Sequence, residues 1–133
     1  MISKRTLAVG LALAAALASG GTWAETPQDI ARSYAAKAPA APSPEAGGRF
    51  FGTPHGREWS CATCHGTPPV GQGKHAATGR PIAPLAPIAN ANRLTDPAKV
   101  EKWLRRNCSD VAGRECTPQE KADIVAWLAG VTR

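Results

Sequence analysis

Cys61-Ala-Thr-Cys-His65 decides the reading of this chain. In a C-x-x-C-H run two thiols add to the vinyl groups of a haem, and the adjacent imidazole binds its iron as the fifth ligand. The methionine content matters as much. The sixth ligand in small electron-carrying cytochromes of this type is usually a methionine sulfur. Here the only methionine is Met1, in a segment expected to be removed. Another donor must fill the sixth position, or it stays open. An open or weakly held position points toward binding small molecules as well as passing electrons.

C-x-x-C also serves thioredoxin-like redox sites and zinc sites. The first would need a strand–helix–strand pattern, which the sequence lacks. The second would need a further Cys/His pair; His55 or His75 could be recruited, but the paired spacing is absent. The adjacent histidine, an export signal and a helical context favour one covalent haem c, held by Cys61 and Cys64 with His65 as proximal iron ligand. The second ring nitrogen of a ligating histidine needs an acceptor. A carbonyl of Pro81-Ile-Ala-Pro-Leu-Ala-Pro87 is the candidate, although that stretch reads equally well as a stiff extended loop.

Residues 1–24 read as a secretory signal. Lys4 and Arg5 form the charged start, Leu7 to Ala18 an apolar stretch too short to span a bilayer easily, and Ala24 a small residue at the cleavage point. Residues 25–133 then form a single monohaem cytochrome c domain, exported to the periplasm and not membrane-spanning. Removing Lys4 and Arg5 from the 16 basic residues leaves 14 against 10 acidic ones. That balance is modestly basic and could steer association with an acidic redox partner. The basic residues are scattered, which argues against nucleic acid.

The chain punctuates like a helical protein. Thr26-Pro27-Gln28-Asp29 begins a helix whose face carries Ile30, Ala31, Tyr34 and Ala38. Ser43-Pro44-Glu45 begins a short second helix, in which Phe50 and Phe51 are both expected in the core. Gly66 to Asn92, rich in Gly, Pro and small residues and without strand alternation, reads as a long loop around the cofactor. Thr95-Asp96-Pro97 caps a helix to about Arg106. Thr117-Pro118-Gln119-Glu120 is a capping box for a last helix to about Ala129, with Gly130 as its stop and Ile124, Val125 and Leu128 on its apolar face. The class is all-α, short helices and long loops around one haem.

Cys108 and Cys116 are left over. In an oxidising compartment such a pair most often forms a disulfide; a redox-active role is the alternative. Donors for the sixth position include His55, His75, a lysine, the new N-terminus or a side-chain oxygen. Asn107 follows Trp103 by four residues, and both share a helix face with Val100, a suitable distal wall. On composition alone Asn107 reads more readily as a helix cap.

Four stretches carry a resemblance. They are Ser60-Cys-Ala-Thr-Cys-His-Gly66, Thr78-Gly-Arg-Pro-Ile-Ala-Pro-Leu-Ala-Pro87, Asp96-Pro-Ala-Lys-Val-Glu-Lys-Trp-Leu-Arg-Arg-Asn-Cys108 and Gly113-Arg-Glu-Cys-Thr-Pro-Gln-Glu-Lys-Ala-Asp-Ile-Val-Ala-Trp-Leu128. Together they resemble the sphaeroides haem protein (SHP) family of high-spin monohaem c-type cytochromes. The resemblance implies a class I cytochrome c fold, Asn107 as distal iron ligand in the ferric state, a Cys108–Cys116 disulfide, a dihaem cytochrome c as electron donor, and binding of diatomics such as O2 and NO. His55, His75 and the stretch from Thr67 to Ala77 depart from the family pattern.

An amide oxygen is a hard, neutral, weak ligand that ferric iron tolerates better than ferrous iron. Reduction is therefore expected to release Asn107 and open the distal side, with Trp103 as its wall, to O2, NO or CO. The rival is a simple low-spin electron carrier with His65 and His75 both on the iron. No distal Arg/His pair at recognisable spacing marks the chain as a peroxidase, and whether it is an enzyme stays open.

Overall fold

The computed structural model describes residues 24–132. The expected signal sequence, residues 1–24, lies outside the described residues but for Ala24.

Five helices and one minute hairpin follow in order: α1 (Pro27–Ala35), α2 (Pro44–Gly52), α3 (Cys61–His65), β1 (Gly73–Lys74), β2 (Pro81–Ile82), α4 (Pro97–Ala112) and α5 (Pro118–Gly130). Four of the helices begin with a polar cap followed by proline. The proline ring presets the helical φ, and its missing N–H would have had no intrahelical partner anyway. Thr26, Ser43, Asp96 and Thr117 accept from the backbone N–H groups of Asp29, Ala46, Lys99 and Glu120 at 3.0–3.2 Å. Glu120 returns the bond by accepting from the Thr117 N–H at 2.8 Å, which completes the reciprocal box.

α5 is the hub, and α1 and α2 pack along it. The closest approach is between α2 and α5 at Gly47, where a Cβ would overlap the Asp123 carbonyl. Ile30, Ala31, Val100 and Val125 form one buried cluster, and Phe51, Cys108, Cys116, Ile124 and Leu128 another. Leu94 and Leu104 touch both. The architecture is all-α, short helices joined by long loops, as expected.

Three expectations need correction. α4 does not stop near Arg106 but runs to Ala112, where Gly113 at φ 69° caps it in the left-handed conformation. Asn107 therefore sits inside the helix and is not its cap. Ser109 and Asp110 are weak helix formers, yet Val111 is buried and Cys108 is bonded to Cys116, so tertiary contacts carry the helix past them. Phe51 is buried at 1% exposure, whereas Phe50 is only half-buried and stacks on His55. The Gly66–Asn92 loop also contains the antiparallel pairing Gly73↔Ile82 and Lys74↔Pro81, too short to leave an alternating pattern in sequence.

Candidate haem-binding site

α3 is little more than one helical turn. Its start is held by the Ser60 N–H donating to Thr63 Oγ1 at 3.0 Å. Its end is held by the Gly66 N–H donating to the Ala62 carbonyl at 2.8 Å. Gly66, at φ 73°, then turns the chain away. Cys61, Cys64 and His65 stand at i, i+3 and i+4 and so share one face. All three border one cavity of about 740 Å3, within the roughly 300–1,000 Å3 usual for cofactor sites.

Cys61 and Cys64 take no part in a disulfide, so both sulfurs can form thioether bonds to a haem. Before haem attachment, burial, aided by Cys64, pushes the Cys61 thiol up to about 11. Burial, and after it the nearby Arg93 charge, lowers the His65 pKa. The neutral imidazole, the form that ligates metal, is thereby favoured. The His65 ring does not hydrogen-bond to Pro81–Pro87 among the described residues. The carbonyls of Ala83 and Pro84 accept instead from Arg93 Nη2 and Nε, each at 3.0 Å, with Asn90 also on Pro84 at 3.3 Å. A guanidinium brings several donors in one plane and a full charge, and it has claimed these acceptors.

α4 forms another wall of the same cavity. Val100, Trp103 and Asn107 all line it, as their spacing on one helix face requires. Trp103 is 47% exposed. Its ring is flanked by Lys102 Nζ and Arg106 Cζ at 5.8 and 5.7 Å from the centroid. Cys108, next to Asn107, is joined to Cys116 by a disulfide, which ties the last turns of α4 to the start of α5.

The two remaining histidines differ. His55 does not line the cavity: its Nε2–H donates to the Phe50 carbonyl at 2.7 Å and its ring lies 3.8 Å from that of Phe50. His75 does line it, but its Nδ1 accepts from the Thr78 N–H at 3.2 Å. The hairpin that carries it is pinned to the Cys64–His65 side. The Ala76 N–H donates to Cys64 Sγ at 3.3 Å, and a Cβ on Gly73 would overlap the Cys64 carbonyl.

These residues fit a haem. Two thiols and an imidazole at attachment spacing open onto one void walled by Phe51, Leu85, Leu94, Leu104 and Leu128. Its charged rim sets Arg80, Arg93, Lys99 and Arg106 against Asp96 and Asp110, a net positive edge suited to a cofactor bearing carboxylates. Among the described residues no group of three or more His, Cys, Asp or Glu could hold a bare metal ion, which leaves the zinc reading without ligands.

Comparison with known proteins agrees. Residues 37–128 match the pattern of a domain of unknown function, DUF1924. The cytochrome c-type protein SHP of Cereibacter sphaeroides is 60% identical over 70 residues, 53% of this chain and 54% of that protein. The chain belongs to the SHP family of c-type cytochromes. Within this SHP-family chain one haem c is covalently held. The structure of oxidised SHP, an oxygen-binding cytochrome c, superposes with a TM-score of 0.75 at 45% identity, covering 80% of this chain and 97% of that one. Cytochrome c'' of Methylophilus methylotrophus is 45% identical over 85 residues, 64% of this chain and 59% of that protein. Its oxidised crystal structure gives a TM-score of 0.69 at 37% identity, covering 80% of this chain and 95% of that one. The sequence matches thus span little more than half the length of the two curated relatives, while the solved structures are covered almost throughout.

Sequence reasoning missed Arg93, whose only signal was a lone cation after a proline-rich loop. It also missed Trp59, which lines the cavity and was legible only as a neighbour of the attachment motif. Lys121 and Asp123 are buried charges on α5. Helical periodicity placed them beside the apolar positions, but nothing local named their partners.

Proposed function

We propose that the chain is an exported, periplasmic monohaem cytochrome c. It accepts electrons from a redox partner, a dihaem cytochrome c by family likeness, and on reduction releases a weak Asn107 ligand to admit a diatomic such as O2 or NO. The observation that carries this reading is the shared cavity: Cys61, Cys64 and His65 on one wall, Trp103 and Asn107 on another.

The haem, when bound, would supply a redox-active iron able to take a small ligand. Cys61 and Cys64 would hold the group covalently, and His65 would offer its imidazole nitrogen to the iron. Asn107 offers an amide oxygen from mid-helix, where α4 fixes its backbone and leaves only its side chain to move. Such a donor would hold an oxidised, harder iron weakly and a reduced, softer iron more weakly still. Trp103, Val100 and Leu104 keep that side apolar, which suits a neutral diatomic better than water. The relatives support this reading: one is described as oxygen-binding, and the solution structure of cytochrome c'' concerns haem-ligand detachment.

One observation favours a second reading, a low-spin carrier with two axial histidines: His75 lines the cavity and its Nε2 is uncommitted. Against it stands the anchoring of its hairpin to the Cys64–His65 side. Asn107→Val separates the two. The variant is expected to leave ferric iron five-coordinate or water-bound, with altered charge-transfer bands; an unchanged ferric spectrum would remove Asn107 from the account.

A further inference from the structure

Lys121 is 8% exposed, yet it lies in the first turns of α5, where the helix dipole disfavours a cation. Its partner explains the placement. Lys121 Nζ donates to both carboxylate oxygens of Glu101 on α4, at 2.9 and 3.1 Å. The Tyr34 hydroxyl of α1 donates to Glu101 Oε2 at 2.9 Å, and Arg105 Nη2 reaches Oε1 at 3.5 Å. Lys121 Nζ also stands 5.7 Å from the Tyr34 ring centroid. One carboxylate on α4 is thus clasped by side chains of α1 and α5.

The geometry gives this cluster a direction of action. Glu101 precedes Trp103 by two residues and Asn107 by six, which at 3.6 residues per turn places it roughly on the opposite face of α4. None of Tyr34, Glu101 and Lys121 borders the haem cavity. α4 packs less extensively on the other helices than α1 and α2 pack on α5. Besides apolar contacts at Val100, Leu104 and Val111, two sets of polar or covalent links hold it: the Cys108–Cys116 disulfide and the Arg105–Glu115 ion pair at 3.1 Å, both to the segment just before α5, and this clasp to α5 itself. Two links separated along a helix fix its rotation and its axial register together, which one link cannot do.

We infer that Lys121, acting through Glu101, is a positioning residue that sets the register of α4 over the haem cavity and thereby how firmly Asn107 holds ferric iron. This rests on the reading of Asn107 as ligand. Removing Lys121 from this half-buried pair leaves Glu101 with only the Tyr34 hydroxyl and the long Arg105 contact, whereas neutralising both partners leaves no charge short of its partner. Lys121→Met should therefore let α4 shift, and the double variant with Glu101→Gln should partly restore it.

The test uses the holoproteins and imidazole as a probe that competes with Asn107 for the ferric iron. Lys121→Met is expected to raise the apparent imidazole affinity about threefold or more, and the double variant to bring it back toward that of the parent. In an Asn107→Val background the same substitution should leave imidazole affinity unchanged, because no ligand remains to reposition. A lower Tm with parental imidazole affinity would make Lys121 merely structural and overturn the inference. If Asn107→Val itself leaves the ferric spectrum unchanged, the ligand reading fails first, and the two failures stay distinct. Should Lys121→Met not take up haem, Glu101→Gln carries the same test, with the same outcome expected.

Discussion

α5 and α4 are neighbouring helices of similar length that the chain treats in opposite ways. α5 is enclosed: α1 and α2 cross it, Gly47 lets backbone meet backbone, and Ala122, Ile124, Val125 and Leu128 are buried. α4 turns its Val100, Trp103 and Asn107 face to a cavity and is held from behind by a disulfide, an Arg105–Glu115 ion pair and a clasped carboxylate. The contrast separates two tasks. The helices around α5 make the fold stable, and on the proposed reading α4 presents the side chain, Asn107, that would bind iron weakly. Phe51, Ile124, Val125 and Leu128 of the first region also line the cavity, so substitutions there at positions away from it should change stability and spare the spectrum, and substitutions on the cavity face of α4 should do the reverse.

The sharpest way to break that division is in the core. Ile30 is fully buried against Val100 and Val125 and does not border the haem cavity. Ile30→Ala should lower unfolding free energy by about 2–5 kcal/mol while leaving ferric and ferrous spectra unchanged. Guanidinium unfolding and absorption spectra measure both, and a changed spin state would show that the two regions are not separable.

The disulfide lies on the boundary between them. Replacing Cys108 and Cys116 with serine should cost about 2.5 kcal/mol on the chain-entropy view. Because Cys108 adjoins Asn107, it should also shift the ferric spectrum. A stability loss with no spectral change would place the bond wholly in the structural region.

The smallest effect concerns acid. Burial opposes ionisation of Glu101, but hydrogen bonds from Lys121 and Tyr34, with the Lys121 charge, outweigh it and hold the carboxyl below its ordinary value. A depressed folded pKa contributes stability that is present above the unfolded pKa and lost as pH falls through the folded one. Tm should therefore decline as pH drops below the ordinary carboxylate range, and Glu101→Gln should flatten part of that decline. An identical Tm profile in the variant would show that the clasp adds nothing to acid stability.

Much of this was legible in the sequence because its signals are local. Thr26, Ser43, Asp96 and Thr117 announce helix starts through bonds made within three residues, and Cys61-Ala-Thr-Cys-His65 declares its chemistry by spacing alone. What was not legible depends on contacts distant in sequence. The true end of α4 needs the burial of Val111 and the left-handed Gly113 to override the weak propensities of Ser109 and Asp110. A lysine on a helix reads as solvated until a carboxylate twenty residues earlier is seen to face it. His55 and His75 were both candidate donors, with His75 the one that could reach the iron. Only the fold shows one stacked on Phe50 away from the cavity and the other beside it.

The central claim is that the position opposite His65 is weakly held and opens on reduction. The absorption spectrum of the purified holoprotein, first ferric, then dithionite-reduced, then with CO added, tests it most directly. The account expects a high-spin ferric form and a high-spin ferrous form that binds CO at once. Sharp low-spin ferrous bands that CO leaves unchanged would contradict it, and would mean a strong sixth ligand such as His75.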